Sequence, residues 1–165
     1  MRFYYEASSM PTGWKSNWAD NKPATRNFIA GTDGLVYRLS SDGGHYIVVG
    51  YTGTESLVRI SPVYRGLLVT EIAAGAFAGN TTVTAVMIGN RITSIGEGAF
   101  VECDNLTAIY YAMNLPASWE EIAGEGNDGL MDLIYFYYSS SSIIEGLKYW
   151  EEIDGAPVVK ELSNS

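Results

Sequence analysis

Residues 69–88 read VTEIAAGAFAGNTTVTAVMI and residues 92–111 read ITSIGEGAFVECDNLTAIYY, and the two align without a gap at a spacing of 23 residues. Val69, Ile72, Gly75, Ala76 and Phe77 recur as Ile92, Ile95, Gly98, Ala99 and Phe100, and Val83, Val86 and Ile88 recur as Leu106, Ile109 and Tyr111. Eight positions held in phase mark a stacked repeat, in which each turn buries against its neighbours what it cannot bury alone. Each copy divides into a short apolar pair, a Gly-Ala-Phe bend whose Phe fills the core, and a strand.

Outward from this pair the chain alternates strands and turns. On the N-terminal side, Leu35–Leu39 and Tyr46–Val49 flank Ser41-Asp42-Gly43-Gly44 and predict a β-hairpin. A strand over 57–60 follows and is closed by Pro62. On the C-terminal side, residues 116–122 read as a short helix, with Ser118 and Glu121 as a capping box, Trp119 and Ile122 facing the core, and Gly124 as its terminator. Residues 133–138 predict an aromatic strand, and 139–142 a polar serine loop. Residues 147–150 and 156–159, around Asp154-Gly155, predict a closing hairpin. Arg2 to Glu6 alternates like a strand, and Trp14 and Trp18 lie in a loop behind it. Tyr-Tyr pairs at Tyr4-Tyr5, Tyr110-Tyr111 and Tyr137-Tyr138 make residues 1–30 look like a further repeat-like unit. The polar stretch from Asn21 to Gly34 separates that unit from residues 31–165.

The second copy carries the spacing L-x-x-L-x-L-x-x-N at Leu106, Ile109, Tyr111 and Asn114, whereas the first ends on Arg91 with Asn90 one residue early. The segment from Val69 to Phe77 and its copy from Ile92 to Phe100 resemble the BspA-type leucine-rich repeat. More weakly, residues 34–60, 118–122 and 149–159 resemble the opening hairpin, interrupting helix and closing segment of such arrays. Residues 4–14 resemble another end-of-array segment. The resemblance implies a mainly β right-handed leucine-rich-repeat solenoid with parallel strands and short helical segments, flanked by β-hairpin units. It further implies a secreted or surface protein of bacteria or protists that works in adhesion or protein binding without catalytic residues. The chain departs from the family at Gly89, where a Pro often stands, and at Asn80, where the other copy has Cys103.

Composition narrows the function classes. At 165 residues and 47% hydrophobic content the chain can bury a continuous core. A net charge of −9 argues against nucleic acid, whose binding draws on Lys and Arg. No apolar run reaches the roughly 20 residues of a membrane span, so membrane insertion is not expected. The first five residues lack the character of a signal peptide, so the protein is either cytosolic or has lost a leader. The resemblance favours the extracellular or cell-surface address. Cys103 is the single cysteine and excludes an internal disulfide.

The chemistry-bearing residues form no catalytic or metal constellation, and no cofactor is expected. His45 is the only histidine and sits at a predicted turn, where packing or surface duty is the favoured role. The carboxylate pairs Glu120/Glu121, Glu151/Glu152 and Asp128/Asp132 are the candidates for glycoside chemistry, but neighbouring acids on one element point apart and are commonly solvated. Asn80 and Asn105 fit the N-glycosylation pattern. The sharper signal is aromatic. Between the core positions of each strand, Met87 and Tyr110 stack on the open face, with Tyr135 or Phe136 extending the row. This row either binds a protein or glycan ligand or only shields the sheet. A second expectation concerns the ends. Phe3, Tyr4, Tyr5, Trp14 and Trp18 at one end and Tyr149 and Trp150 at the other offer apolar surfaces for a head-to-tail homo-oligomer or filament; the simpler alternatives are flanking domains cut away, or Trp14 and Trp18 folding back as a cap.

Overall fold

A computed structural model describes residues 31–113, 116–138, 143–154 and 156–160. The strands are β1 (Leu35–Leu39), β2 (Tyr46–Tyr51), β3 (Leu57–Arg59), β4 (Val63–Tyr64), β5 (Leu67–Ile72), β6 (Ala85–Ile88), β7 (Ser94–Ile95), β8 (Ala108–Tyr111), β9 (Ile134–Tyr137), β10 (Lys148–Ile153) and β11 (Ala156–Lys160). One helix, α1 (Pro116–Ile122), and a 3₁₀ turn (Asp128–Leu133) interrupt them.

The repeat is visible as hydrogen bonding. Glu71 pairs with Ser94 and Ile72 with Ile95 in one parallel sheet, while Ala85 pairs with Ala108 and Ile88 with Tyr111 in a second. Each of these partners is 23 residues away. The arcs between strands are tied in the same phase: Thr93 N–H donates to Thr70 O at 2.8 Å and Thr107 N–H to Thr84 O at 2.9 Å. The chain therefore coils, laying one strand in each sheet per turn.

The coil extends beyond the two clean copies with turns of other lengths. In the second sheet β3 pairs with β6 at an offset of 28 (Leu57↔Ala85), β8 with β9 at 25 (Ile109↔Ile134), and β9 with β10 at 13 (Tyr135↔Lys148). All these pairings are parallel, and the sheet order is β11-β10-β9-β8-β6-β3. In the first sheet β2 joins β5 in parallel, and an isolated bridge from Ile95 to Ala123 continues it.

Between the sheets runs one core. Val58, Val86, Ile109 and Ile134 fill it from the second sheet, Val48, Val69, Ile72 and Ile95 from the first, and Phe77 and Phe100 from the bends. Tyr51 continues the ring column, 6.4 Å from Phe77. The small column Ala73, Gly96, Gly124 lets adjacent arcs touch. A Cβ on Gly96 would collide with the Ala74 backbone, and one on Gly124 would lie 2.7 Å from Ile95 O.

The hairpins stand where the sequence puts them. β1 and β2 are antiparallel, as are β10 and β11, the latter around Asp154 at φ 52°. The β4–β5 hairpin turns on Arg65 and Gly66, both at positive φ, and was not anticipated. The helix is present, but its start differs from expectation. Ser118 lies inside it and cannot cap it, and Pro116 opens it, with its fixed φ suited to a first helical position. Gly124 is needed for close approach to Ile95, not for a left-handed helix end.

Candidate interaction face

The outer face of the six-stranded sheet presents a row set by strand register. Arg59 lies opposite Met87, Met87 opposite Tyr110, Tyr110 opposite Tyr135, and Tyr135 opposite Lys148. Strand side chains alternate faces, so the core positions Val58, Val86, Ile109, Ile134 and Tyr149 put this row on the opposite side. A second row holds Tyr137, Trp150 and Val159.

The aromatic groups form a connected floor. The Tyr110 and Tyr135 rings are 5.4 Å apart and tilted by 35°, and Trp150 meets Tyr110 at 5.7 Å and Tyr137 at 5.1 Å, both edge on. The Trp150 indole N–H donates to Tyr111 O at 2.9 Å, which fixes the ring over the strand. Lys148 Nζ stands 5.3 Å from the Tyr135 centroid, and the same ammonium bonds to Asp132 O. Burial, then the neighbouring Tyr135 phenol, pushes the Tyr110 hydroxyl above its usual pKa. Burial likewise raises the Glu152 carboxyl, opposed by the charge of Arg59. Three strands separate β10 from β3, about 19 Å in a flat sheet. The sheet is curled, so its two ends lie closer than that.

The expected row needs two corrections. Tyr110 and Tyr135 occupy it, half-buried. Phe136 does not: it is the next residue along β9, points inward, and belongs to the core. Met87 is in the row but only 1% exposed, so it is a covered residue and not an open contact. Of the end-of-chain residues, Tyr149 is buried in the core and Trp150 on the outer face, so neither forms an exposed apolar end. Phe3, Tyr4, Tyr5, Trp14 and Trp18 lie outside the described residues.

Asn80, Asn105 and His45 all lie between strands. Asn80 Oδ1 accepts from Thr82 and Val83 N–H, both at 2.9 Å, and Asn105 Nδ2 donates to Thr81 O at 2.6 Å, so both side chains hold their turns. Ser40, Asp42 and His45 do come together, at the β1–β2 turn. Ser40 Oγ donates to Asp42 at 2.5 Å and accepts from His45 N–H at 3.1 Å, while the imidazole Nε2 faces Glu71 Oε1 at 2.9 Å. No hydrogen bond joins the ring to the hydroxyl, so the set lacks the geometry of a base beside a nucleophile. The Ser40 hydroxyl and the Gly44 N–H hold the Asp42 carboxyl below its usual pKa. Glu151 pairs with Lys160 at 3.0 Å on the face opposite Glu152, and Glu120, Glu121 and Asp132 point to solvent. Asp128 has no described side chain. The described residues hold no group of three His, Cys, Asp or Glu able to bind a metal ion. Cys103 Sγ donates to Phe77 O at 2.9 Å, and burial raises its pKa.

No family model and no curated protein match the chain. Among solved structures it is similar to a leucine-rich repeat protein of T. pallidum, at 20% identity over 63% of this chain and 56% of that one, with a TM-score of 0.49. A leucine-rich cell surface protein of Faecalibacterium prausnitzii A2-165 matches at 23% identity over 64% of this chain and 29% of that one, with a TM-score of 0.49. A leucine-rich repeat protein of Bacteroides capillosus matches at 20% identity over 65% and 96%, with a TM-score of 0.48. The chain spans about half of the first of these and under a third of the second.

Proposed function

We propose that the chain is a right-handed repeat solenoid of BspA type that acts as a non-enzymatic interaction scaffold outside the cell, taking a protein or glycan ligand on the outer face of its six-stranded sheet. The observation that carries this reading is the register of Tyr110 and Tyr135, with Trp150 braced against them. Tyrosine and tryptophan combine a large apolar surface with a polar edge, which suits contact with protein hot spots and sugar rings. The described residues contain no helix long and apolar enough to cross a membrane.

The test is binding of the full chain to a glycan array and to immobilised extracellular-matrix proteins. Tyr110→Ala and Tyr135→Ala each weaken the positive interaction by tenfold or more, while His45→Ala leaves it unchanged. Equal binding by all three variants removes the outer face as the contact surface.

A second reading, head-to-tail assembly, draws on the last hairpin. Ile153 and Val158 lie on the core side of β10 and β11 but are 47% and 38% exposed, as an end awaiting another turn of a second copy would be. Light scattering over a concentration series tests it: growth abolished by Val158→Lys supports assembly, and a constant monomer mass ends it.

A further inference from the structure

The five-stranded sheet ends at β1, and that edge is open. Ser40 N–H donates to His45 O and Thr52 N–H to Gly34 O, at 2.9 Å each, which fixes the antiparallel alternation between them. Val36 and Arg38 therefore turn their backbone groups towards β2, and Leu35, Tyr37 and Leu39 turn theirs away from it. Of the groups turned away, Leu35 N–H meets Thr32 O at 3.5 Å, and the others have no backbone partner among the described residues. The usual guards of a sheet edge are missing here. β11, at the edge of the other sheet, carries Lys160 and also Pro157, which has no N–H. β1 reads Leu-Val-Tyr-Arg-Leu, with neither proline nor lysine. Its pairing with β2 is irregular between Val36 and Tyr37, where the register passes from Gly50 to Val48. The extra residue, Val49, is on β2, so the free edge of β1 stays regular. Apolar side chains are exposed on both faces of the strand: Val36 is 41% exposed on the outer side, and Leu39 is 46% exposed on the side of the core.

The occupant that fits this edge is the same strand of a second copy. A two-fold axis through Tyr37 lays two copies of β1 antiparallel, so that Tyr37 stands opposite Tyr37, Leu35 opposite Leu39, and Val36 opposite Arg38 of the other chain. Tyr37 N–H then donates to Tyr37 O in both directions and each Leu39 N–H to Leu35 O, about four backbone hydrogen bonds in all. On the core side Leu39 covers Leu35, and on the outer side the aliphatic stem of Arg38 lies along Val36. Charge permits the contact at this edge. A net charge of −9 sets copies of the chain against one another in general, but β1 holds no acid, and its one charge, Arg38, meets a valine instead of its own image.

We propose that two copies of the chain pair through β1, joining their five-stranded sheets across a two-fold axis. The contact is isologous and closes at two copies, which separates it from the head-to-tail assembly above, and it depends on neither reading of the proposed function. Five residues a side fall short of the roughly 20–30 of a stable interface, so the dimer is a weak one that forms at high protein concentration.

Sedimentation of the full chain over a concentration series reaching the millimolar range reads the mass, and cross-linking reads the register. A monomer–dimer equilibrium that stops at two copies is expected. Leu39→Lys should raise its dissociation constant at least tenfold while leaving the melting temperature near that of the parent chain. Val36→Cys and Arg38→Cys chains, each also carrying Cys103→Ser, should on mild oxidation of their mixture give a disulfide dimer in at least tenfold excess over either chain alone. The two-fold places those two positions about 4.5 Å apart, within the reach of a disulfide. A constant monomer mass at every concentration overturns the proposal. So does a dimer that Leu39→Lys leaves unchanged, or a mixture no richer in disulfide dimer than its components. Growth beyond two copies that Val158→Lys abolishes and Leu39→Lys spares overturns it in favour of head-to-tail assembly.

Discussion

The rings of Phe77 and Phe100 lie face to face, 5.0 Å between centroids and 12° from parallel, each supplied by the same position of successive turns. Both are buried in the core. Truncation at either opens a cavity that the neighbouring ring cannot fill, since that ring is fixed by its own turn. Phe77→Ala and Phe100→Ala should each cost about 3–5 kcal/mol, read from the midpoint shift in urea unfolding. A loss under about 1 kcal/mol would mean that the bends are not core elements.

Substitution at the small column should separate close approach from backbone conformation. Gly124→Ala places a methyl against Ile95 O, which accepts from Gly124 N–H, and Gly96→Ala places one against the Ala74 backbone, which is held between the hydrogen-bonded Ala73 and Gly75. Each is expected to destabilise by about 1–3 kcal/mol. Gly89→Ala is the control. Its added carbon would meet nothing closer than Ile60 O at 3.9 Å, so its melting temperature should stay near that of the parent chain.

Tyr37 gives the protein an alkaline limit. It stacks on Tyr64 at 4.0 Å and 15°, with Tyr46 edge on at 6.3 Å. Burial, then the adjacent Tyr64 phenol, pushes its pKa from 10 to about 12. The folded state holds this proton more tightly than the unfolded chain. Its contribution is therefore complete below about pH 10 and is lost as pH rises to about 12. Urea unfolding at a series of pH values should show stability falling across that window, less steeply in Tyr37→Phe. Identical slopes in the two chains would contradict the assignment.

The His45–Glu71 contact links the β1–β2 turn to β5 at 2.9 Å with both side chains partly in water. Exposed pairs of this kind contribute little. A double-mutant cycle on His45→Ala and Glu71→Ala should give a coupling energy under about 1 kcal/mol, and a value several times larger would mark the site as more than a turn brace.

The residue pattern revealed the fold where the chain repeats at constant length and concealed it elsewhere. Ile72 and Ile95 could be matched by eye because one hydrogen-bonded step in the sheet equals one period in sequence. Ile109 and Ile134 make the same step across 25 residues, and Leu57 and Ala85 across 28, which no fixed window aligns. The extra residues go into arcs, where α1 and the 3₁₀ turn lie, and leave strand spacing untouched. At the candidate site the placing of Met87 and Tyr110 in one row followed from alternation and the 23-residue period alone. Choosing between Tyr135 and Phe136 required knowing that Ile134 pairs with Ile109, and the burial of Met87 is a tertiary property that strand periodicity does not encode.

The indole bond from Trp150 to Tyr111 O passes over β9 and joins β10 to β8. In a coil whose backbone pairing joins only adjacent strands, the last hairpin would peel away first and β9 next, in separate small openings. The indole clasp makes those losses one event, because freeing β10 also strips the cover from β8. Amides of the closing hairpin should therefore exchange with solvent at a common rate with those of Tyr137 and Tyr138, a single cooperative flap in place of a fraying edge.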